Sequence, residues 1–330
     1  MTSIFEKIPK NQRDKLNKSK QPDWTAPMLA KLTHNHFSDE NWIYERKFDG
    51  ERCLVFKKGN RIRLMSRNKK VINETYPELV DEFRQQKNSF MADGEIVAFD
   101  GNVTSFSRLQ ERMKLKDPEE AKKSNVAVYF YLFDILHLMG YDVTNVDLRS
   151  RKILLRNALE FSNKIRFTAH RNTEGEKYHK EACRKGWEGI IAKDAGSNYV
   201  HSRSGRWLKF KCVNQQEFVI GGYTEPQGER VGFGAILIGF YDNGDLKYAG
   251  KVGTGYDNET LGRLKKMFNQ RERKKPPFSQ EVKEKNSHWI KPELVCEITF
   301  TEWTDDNKLR HPRYLGLRRD KKAKDVVKES

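Results

Sequence analysis

Six short clusters of charged residues lie within or beside apolar, strand-like stretches of this 330-residue chain. In chain order they occupy residues 44–52, 66–68, 93–97, 133–134, 188–193 and 207–211. Charged side chains in nearly buried strands are costly unless they are paired or perform chemistry. In the last cluster Lys209 and Lys211 alternate with apolar residues, so both lysines lie on one face of a strand. The clusters together predict a pocket lined by lysine, arginine and carboxylate side chains.

Such a pocket suits nucleotide chemistry. Cations bind a triphosphate and neutralise charge that develops in phosphoryl transfer, while carboxylates hold Mg²⁺ and ribose. A partly desolvated lysine among other cations has a lowered pKa and can attack as a neutral amine. The pattern Lys47-Phe48-Asp49-Gly50 alone is more typical of a charged strand entering a glycine turn, but the other clusters favour a covalent lysyl–nucleotide intermediate. No GxxxxGK[ST] sequence is present, so a P-loop does not hold the nucleotide.

The composition narrows the class of protein. Lys and Arg number 63 against 46 Asp and Glu, a net charge of +17, which predicts a polyanionic partner. No apolar run approaches the ~18–20 residues of a membrane span, and the N-terminus lacks the apolar region of a secretory signal. The four cysteines are far apart and form no CxxC pair, so we expect neither a zinc site nor a disulfide framework, as in a reducing cytoplasm.

Residues 1–212 are predicted to form an arm and an α+β domain. Residues 1–20 carry six Lys or Arg and two acids with few apolar residues, which predicts a flexible basic arm. From 21 to 212, strand-like and helix-like segments alternate. Strands are predicted at 61–65, 94–99, 126–136 and 189–192, and helices at 76–86, 149–160 and 176–185.

Residues 213–330 have a different pattern. Short strands at 217–222, 235–241, 246–251 and 294–300 are separated by glycine-rich turns, and one helix is predicted near 258–268. Asp242-Asn243-Gly244 is a strong hairpin signal. Four or five strands and one helix in this length predict a small all-β barrel of the OB-fold type.

The order and spacing of the clusters resemble the nucleotidyltransferase motifs of ATP-dependent DNA ligases, over a stretch from Pro27 to about Lys322. Segments 216–224, 232–235, 248–255 and 311–321 most resemble the ligase module of bacterial ligase D, of non-homologous end joining. The resemblance implies an adenylation (nucleotidyltransferase) domain followed by an OB-fold, with ATP and Mg²⁺ or Mn²⁺ as cofactors. It also implies a minimal form, without the large helical DNA-binding domain of other ligases.

The resemblance implies roles for individual residues. Lys47 would carry AMP. A C-terminal motif that contains Arg318, Asp320 and Lys321 would orient the pyrophosphate leaving group. The implied catalytic residues are Lys47, Arg52, Arg67, Lys209, Lys211, Arg318, Asp320 and Lys321. The implied ATP- or AMP-binding residues are Glu45, Lys47, Arg52, Arg67, Glu95, Phe133, Ile191, Lys209 and Lys211, and the implied metal ligands are Glu95 and Glu188. An ordinary core is the alternative reading of Phe133 and Ile191. Asp49 is equally consistent with forming a turn with Gly50 and with a polar role near the nick.

The implied function is sealing of 5′-phosphate/3′-OH nicks in duplex DNA through a lysyl-AMP intermediate, in DNA repair or end joining. An RNA ligase or a capping-type nucleotidyltransferase shares the same lysine chemistry, and a basic binding module without catalysis is the non-enzymatic alternative. We expect a monomer that binds nicked duplex DNA and no membrane, with Ku-type end-joining proteins as candidate partners and a cytoplasmic, nucleoid-associated location. The basic runs 271–285 and 308–328 are candidate DNA contacts or simply solvated faces.

Overall fold

Separate hydrophobic cores form before and after Cys212. The computed structural model describes residues 4–226, 228 and 230–329, and the chain divides into units 1–212 and 213–330. The described residues contain no helix that is long and apolar enough to cross a bilayer.

The first unit combines two sheets with six α-helices among the described residues. Its strands are β1 (Asn17–Lys18), β2 (Leu29–Leu32), β3 (Trp42–Arg46), β4 (Glu51–Lys58), β5 (Arg61–Ser66), β6 (Phe90–Asp100), β7 (Val103–Thr104), β8 (Val128–Leu138), β9 (Tyr141–Asp142), β10 (Ile165–Phe167), β11 (His170–Asn172), β12 (Gly189–Asp194) and β13 (Arg203–Lys211). Its helices are α1 (Lys10–Arg13), α2 (Pro77–Arg84), α3 (Phe106–Met113), α4 (Pro118–Lys122), α5 (Leu148–Ala158) and α6 (Gly175–Arg184), with a 3₁₀ turn at Phe5–Lys7.

The two sheets of this unit enclose a shared apolar layer. The first has the strand order β1-β9-β8-β6-β4-β5, with β10 added to β8 and β7 to β6, and the second has the order β11-β3-β12-β13-β2. Helices α2, α3 and α5 pack their apolar residues into the core of the first sheet. A second cluster contains Leu54 and Phe133 from the first sheet and Ile191 and Trp207 from the second. The two sheets therefore contact each other through the strands that carry the predicted site residues.

The predicted α+β fold class is confirmed, and each helix and strand predicted in this unit is present. Local chemistry explains where the helices begin. Pro77 occupies the first turn of α2, where its missing N–H costs nothing. The side chains of Ser105 and Asp147 accept backbone hydrogen bonds at the starts of α3 and α5.

The prediction of a flexible arm at residues 1–20 is wrong for the described residues 4–20; residues 1–3 lie outside the described part. Phe5 is 1% and Ile8 3% exposed, and both belong to the core of the first sheet. Gln12 accepts a hydrogen bond from the backbone N–H of Asp147 at 3.0 Å, and β1 pairs with β9. The prediction rested on the number of charged residues and overlooked a few apolar residues whose spacing lets them reach one core.

The expectation about cysteines is also wrong for one pair. Cys183 and Cys212 form a disulfide across 29 residues, with their Cα atoms 5.1 Å apart. Cys183 lies near the end of α6 and Cys212 directly follows β13, so tertiary packing brings together cysteines that are distant in sequence. Cys53 and Cys296 are buried free thiols.

The second unit is a curled antiparallel sheet with one α-helix among its described residues. Its elements are β14 (Asn214–Thr224), β15 (Ile236–Asp242), β16 (Asp245–Val252), α7 (Asn258–Asn269), β17 (Glu272–Arg273), β18 (Ser287–Phe300), β19 (Glu302–Trp303), β20 (Leu309–Arg310) and β21 (Arg313–Leu317), with a 3₁₀ turn at Ala323–Asp325. The main sheet has the order β16-β15-β14-β18-β17, with β21 added to β18. The predicted hairpin turn is confirmed: Asn243 and Gly244 have φ of 49° and 88°, as a type I′ turn requires.

Candidate active site

The register of the second sheet places the predicted site residues in rows across β3, β12 and β13. Glu45 is opposite Ile191, which is opposite Lys209. Two residues further along the chain from Glu45, the Lys47 N–H donates to the Gly189 carbonyl at 3.0 Å, and Gly189 is opposite Lys211. Because side chains two apart on a strand share a face, one face of this sheet presents the following residues. They are Glu45, Lys47, Ile191, Lys193, Trp207, Lys209 and Lys211.

Lys47 is paired with a carboxylate. Its Nζ contacts Oε1 of Glu188, and the two side chains are only 17% and 8% exposed. The other carboxylate oxygen of Glu188, Oε2, is buried and accepts no hydrogen bond from any residue that the structure describes. A buried, unsatisfied carboxylate oxygen is costly, and it is the donor type that Mg²⁺ prefers. The predicted assignment of Glu188 as a metal ligand therefore fits the geometry.

Gly189 allows β12 to pair closely with β13 in the row that contains Lys47 and Lys211. Its φ is +147°, which side-chain-bearing residues rarely adopt, and a Cβ would collide with the carbonyl oxygen of Phe210. Glycine therefore lets β12 and β13 pair closely between Lys47 and Lys211, and no side chain intervenes in that row.

The Glu45 carboxylate is fully engaged inside the protein. It is 1% exposed and forms ion pairs with Lys152 at 2.5 Å and Lys193 at 2.6 Å. Burial alone would raise the pKa of Glu45, but the two ammonium groups outweigh burial and hold the pKa below its ordinary value. Each carboxylate oxygen of Glu45 therefore has its own ammonium partner, Oε1 that of Lys152 and Oε2 that of Lys193.

Arg52 is held by a buried carboxylate. Its Nε and one terminal nitrogen donate to the two oxygens of Asp93, each at 2.6 Å, and the same terminal nitrogen donates to the Met28 carbonyl at 3.0 Å. Tyr199 donates its hydroxyl to Asp93 at 2.6 Å. Burial lowers the pKa of Arg52, but Asp93 outweighs that effect and raises it, so the guanidinium stays charged. This bidentate pair fixes the guanidinium 4.7 Å from the ring centre of Phe133.

The carboxylates of Asp93 and Asp134 are structural. The two residues are opposite each other on β6 and β8, and both are completely buried. Arg151 binds Asp134 with two hydrogen bonds of 2.7 and 2.9 Å, as Arg52 binds Asp93. The sequence marked these buried acids as paired or functional, and each is paired with its own arginine.

Phe133 and Ile191 lie together in the apolar layer between the sheets. Phe133 is 8% exposed, its ring packs edge-on against Trp207 at 5.9 Å, and the Lys193 ammonium lies 4.2 Å from its centre. Both residues therefore contribute to a core, and both also border the sheet face that carries Lys47.

Glu95 and Arg67 lie on strands next to Arg52. Glu95 on β6 is opposite both Arg52 and Tyr131 and is partly exposed. Arg67 directly follows β5, whose last residue pairs with Cys53 of β4. The register thus brings Arg52, Arg67 and Glu95 to neighbouring positions of the first sheet.

Arg318, Asp320 and Lys321 lie in the second unit and are brought together there. Arg318 binds both oxygens of Asp320, at 3.0 and 2.9 Å, and donates to Glu297 at 3.2 Å. Lys321 forms an ion pair with Glu217 at 2.9 Å. Burial raises the pKa of Asp320, but Arg318 outweighs burial and lowers it.

Sequence reasoning missed the partners of Glu45 and Asp134. Arg151 and Lys152 are buried on α5, although the helix was predicted. A usable signal was present: Leu148, Arg151, Lys152 and Leu155 follow the spacing of a buried helix face, and cations on such a face need carboxylate partners.

Comparison with known proteins agrees with this geometry. The "ATP dependent DNA ligase domain" family matches residues 27–211, and the "ATP dependent DNA ligase C terminal region" family matches residues 229–321. The multifunctional non-homologous end joining protein LigD of Pseudomonas aeruginosa is 33% identical over 94% of this chain and 37% of its own length. The LigD protein of Mycobacterium tuberculosis is 34% identical over 97% of this chain and 42% of its own length. The chain thus spans about two fifths of these curated relatives.

Solved structures lead to the same family. A mycobacterial DNA ligase D complexed with ATP and MES is 32% identical, covers 94% of this chain and all of its own, and has a TM-score of 0.66. The ligase domain of M. tuberculosis LigD has the same identity and coverage, with a TM-score of 0.52. Both ligase regions are present in sequence order, with a lysine–glutamate pair on the face of a central sheet, and the chain belongs to the ATP-dependent DNA ligase family.

Proposed function

We propose that this chain is an ATP-dependent DNA ligase that seals nicks through AMP bound to Lys47. The observation that carries the proposal is the contact between Lys47 and Glu188 on a sheet face that also bears Lys209 and Lys211. A nucleophilic amine, a carboxylate for a metal ion, and two further cations are the groups that nucleotidyl transfer requires.

In the first step, Lys47 Nζ attacks the α-phosphorus of ATP. An N–P bond forms, the bond to the β-phosphate oxygen breaks, and pyrophosphate leaves. Nζ must lose its proton to solvent before attack, and the neighbouring Glu188 carboxylate stabilises the ammonium form. A Mg²⁺ ion held by Glu188 would offset the charge of that carboxylate and so favour the neutral amine. Lys209 and Lys211 offset the negative charge on the α-phosphate in the transition state.

In the second step, the 5′-phosphate of a nick attacks the α-phosphorus and displaces Lys47, which gives an adenylated DNA end. In the third, the 3′-OH attacks that activated phosphate and AMP leaves. Arg52 and Arg67 are proposed to contact ribose and the nick phosphate, and Glu95 ribose or metal.

The adenine ring would lie against the layer that contains Phe133 and Ile191, with the backbone of β3 at its edge. Arg318, Asp320 and Lys321 would orient the pyrophosphate in the first step. The fixed pairs of Arg318 with Asp320 and Glu297 would make that motif a rigid element rather than three independent side chains.

Nicked duplex DNA is the proposed substrate, and the net charge of +17 supports phosphate contacts as the main source of affinity. The likeness to LigD proteins supports a role in end joining, which would place the enzyme at the nucleoid and make Ku-type proteins its partners. The proposed boundaries are an adenylation domain at 21–212 and an OB-fold at 213–330.

Gel analysis of a nicked duplex tests this function. Purified protein with ATP and Mg²⁺ should convert labelled nicked DNA to the sealed strand, and a nicked RNA duplex should be sealed far less well. Lys47→Ala should abolish sealing from ATP but retain sealing of DNA that is already adenylated. Lys58→Ala, at the exposed end of β4, is the matched control and should seal normally. Sealing of RNA in preference to DNA would contradict the proposal, as would normal sealing by Lys47→Ala.

A further inference from the structure

Three side chains outside the active site form a cluster of metal-binding type, here called the His179 cluster: His179, Cys183 and Cys212. Their ligand atoms all lie within 4.8 Å of one another, and all three residues are half-buried. His179 and Cys183 are four residues apart on α6 and therefore share one face of the helix. Cys212 directly follows β13. Two sulfur atoms and an imidazole are the donor set that zinc selects.

Both helix and sheet fix the positions of these side chains. The Cys212 N–H donates to the Glu188 carbonyl at 3.0 Å, which ties the residue to β12. Nε2 of His179 lies 3.4 Å from Cys183 Sγ and 3.2 Å from the Lys211 carbonyl oxygen. The imidazole is therefore already directed at both the sulfur and the chain that leads to Cys212. Such fixed donors reduce the ordering cost of binding an ion.

A second histidine lies beside the cluster. The ring centre of His36 is 4.0 Å from that of His179. Structural zinc sites are four-coordinate, so the His36 imidazole is a candidate for the ligand that the three clustered side chains leave to be supplied.

We propose that the reduced form of this protein binds a zinc ion through His179, Cys183 and Cys212, with His36 as the fourth ligand. Two thiolates on one zinc lie ~3.8 Å apart, given Zn–S bonds of ~2.3 Å and tetrahedral geometry. Once the disulfide has been opened, rotation of the two cysteine side chains is enough to reach that separation. The bound zinc ion would hold Cys212, the last residue of the first unit, against α6.

The chemistry balances in two steps. A thiol reductant supplies two electrons and two protons, which convert the Cys183–Cys212 disulfide to two thiols while the reductant becomes a disulfide. Zinc then binds the two thiolates, and two protons are released. The same cysteines therefore exist either as a disulfide without metal or as a zinc dithiolate.

The test uses the full chain, reduced with a phosphine and purified without chelator. We expect one tightly held zinc ion per chain in the reduced protein and none after oxidation to the disulfide. Co²⁺ in place of zinc should give the near-ultraviolet band of sulfur-to-cobalt charge transfer. That band distinguishes this site from any divalent ion on Glu188, which has no sulfur ligand.

Variants assign the ligands. Zinc binding should weaken at least about tenfold to a hundredfold in each of the variants Cys183→Ser, Cys212→Ser and His179→Ala. Even the loss of a residue that only hydrogen-bonds to a zinc ligand has an effect of that size. His201→Ala, elsewhere in the same unit, is the control and should retain zinc. Equal zinc content in the reduced and oxidised wild-type protein would overturn the proposal without reliance on any variant. A cobalt complex without the thiolate band would overturn it as well.

Discussion

Replacing Glu45 by glutamine separates a structural role of this carboxylate from a role in binding ATP. The structure encloses it between Lys152 and Lys193, at 2.5 and 2.6 Å, with 1% of the residue exposed. Glu45→Gln keeps the shape of the side chain but removes its negative charge. Lys152 and Lys193 both form their described ion pair with that charge. The change should therefore affect folding rather than affinity for nucleotide.

The magnitude follows from the cost of an uncompensated buried charge. Removing one partner of a buried ion pair costs about 3–5 kcal/mol, and the remaining hydrogen-bonding capacity of glutamine favours the lower end. If the free energy of unfolding falls by roughly 3 kcal/mol for each molar of urea, the urea concentration at the unfolding midpoint should fall by roughly 1 M. The pKa of Glu45 is lowered in the folded state, so its stabilisation is complete above the ordinary value of 4.5 and is lost as the pH falls through the folded value.

The assay is urea unfolding followed by fluorescence, for wild type, Glu45→Gln and the control Glu74→Gln, whose carboxylate is exposed. The difference between wild type and Glu45→Gln should be constant from about pH 7 to about pH 5 and shrink below 4.5. Adding Lys193→Met to Glu45→Gln should restore part of the stability, because one unpaired charge is removed.

The reasoning is refuted if Glu45→Gln unfolds at the wild-type urea concentration while its KM for ATP in self-adenylation rises. That result would mean that the carboxylate contacts adenine and that the two lysines do not depend on it.

Three further predictions concern the site, the N-terminal segment and DNA. Gly189→Ala should abolish self-adenylation, because its Cβ would collide with the Phe210 carbonyl, whereas Gly205→Ala on β13 has open space and should stay active; equal activity of the two would contradict the close packing of β12 on β13. Phe5→Ala should lower the free energy of unfolding by about 3–5 kcal/mol, measured by urea titration, since the ring is buried in the first core; an unchanged midpoint would restore the flexible arm. Raising salt from 50 to 200 mM should weaken binding to nicked DNA on the order of a hundredfold, measured by anisotropy, while self-adenylation loses much less; equal losses would show that phosphate contacts do not dominate DNA binding.

The main fold was predictable because its signals are local. Alternating apolar residues, Pro77 at the start of a helix and the Asn243-Gly244 turn mark elements that the structure contains at nearly the predicted positions. The resemblance supplied the site residues, and the register of β3, β12 and β13 shows why Glu45, Lys47 and Lys209 belong to one surface.

What could not be predicted depends on contacts between distant segments. The partners of Glu45 come from a helix more than a hundred residues later in the sequence and from β12. The Cys183–Cys212 disulfide and the burial of Phe5 likewise depend on tertiary packing, which neither charge counts nor cysteine spacing encode. The composition of residues 1–20 indicated a solvated arm because six of them are cations. A count of residue types does not show where the three or four apolar side chains lie.

The most direct test of the account locates the AMP. The protein is incubated with α-labelled ATP and Mg²⁺ and digested under alkaline conditions that preserve the phosphoamide, and the labelled peptide is sequenced by mass spectrometry. The account predicts a single adenylated residue, Lys47, and loss of the label when nicked DNA is added. AMP on Lys209 or Lys211 instead, or label that nicked DNA does not discharge, would contradict it.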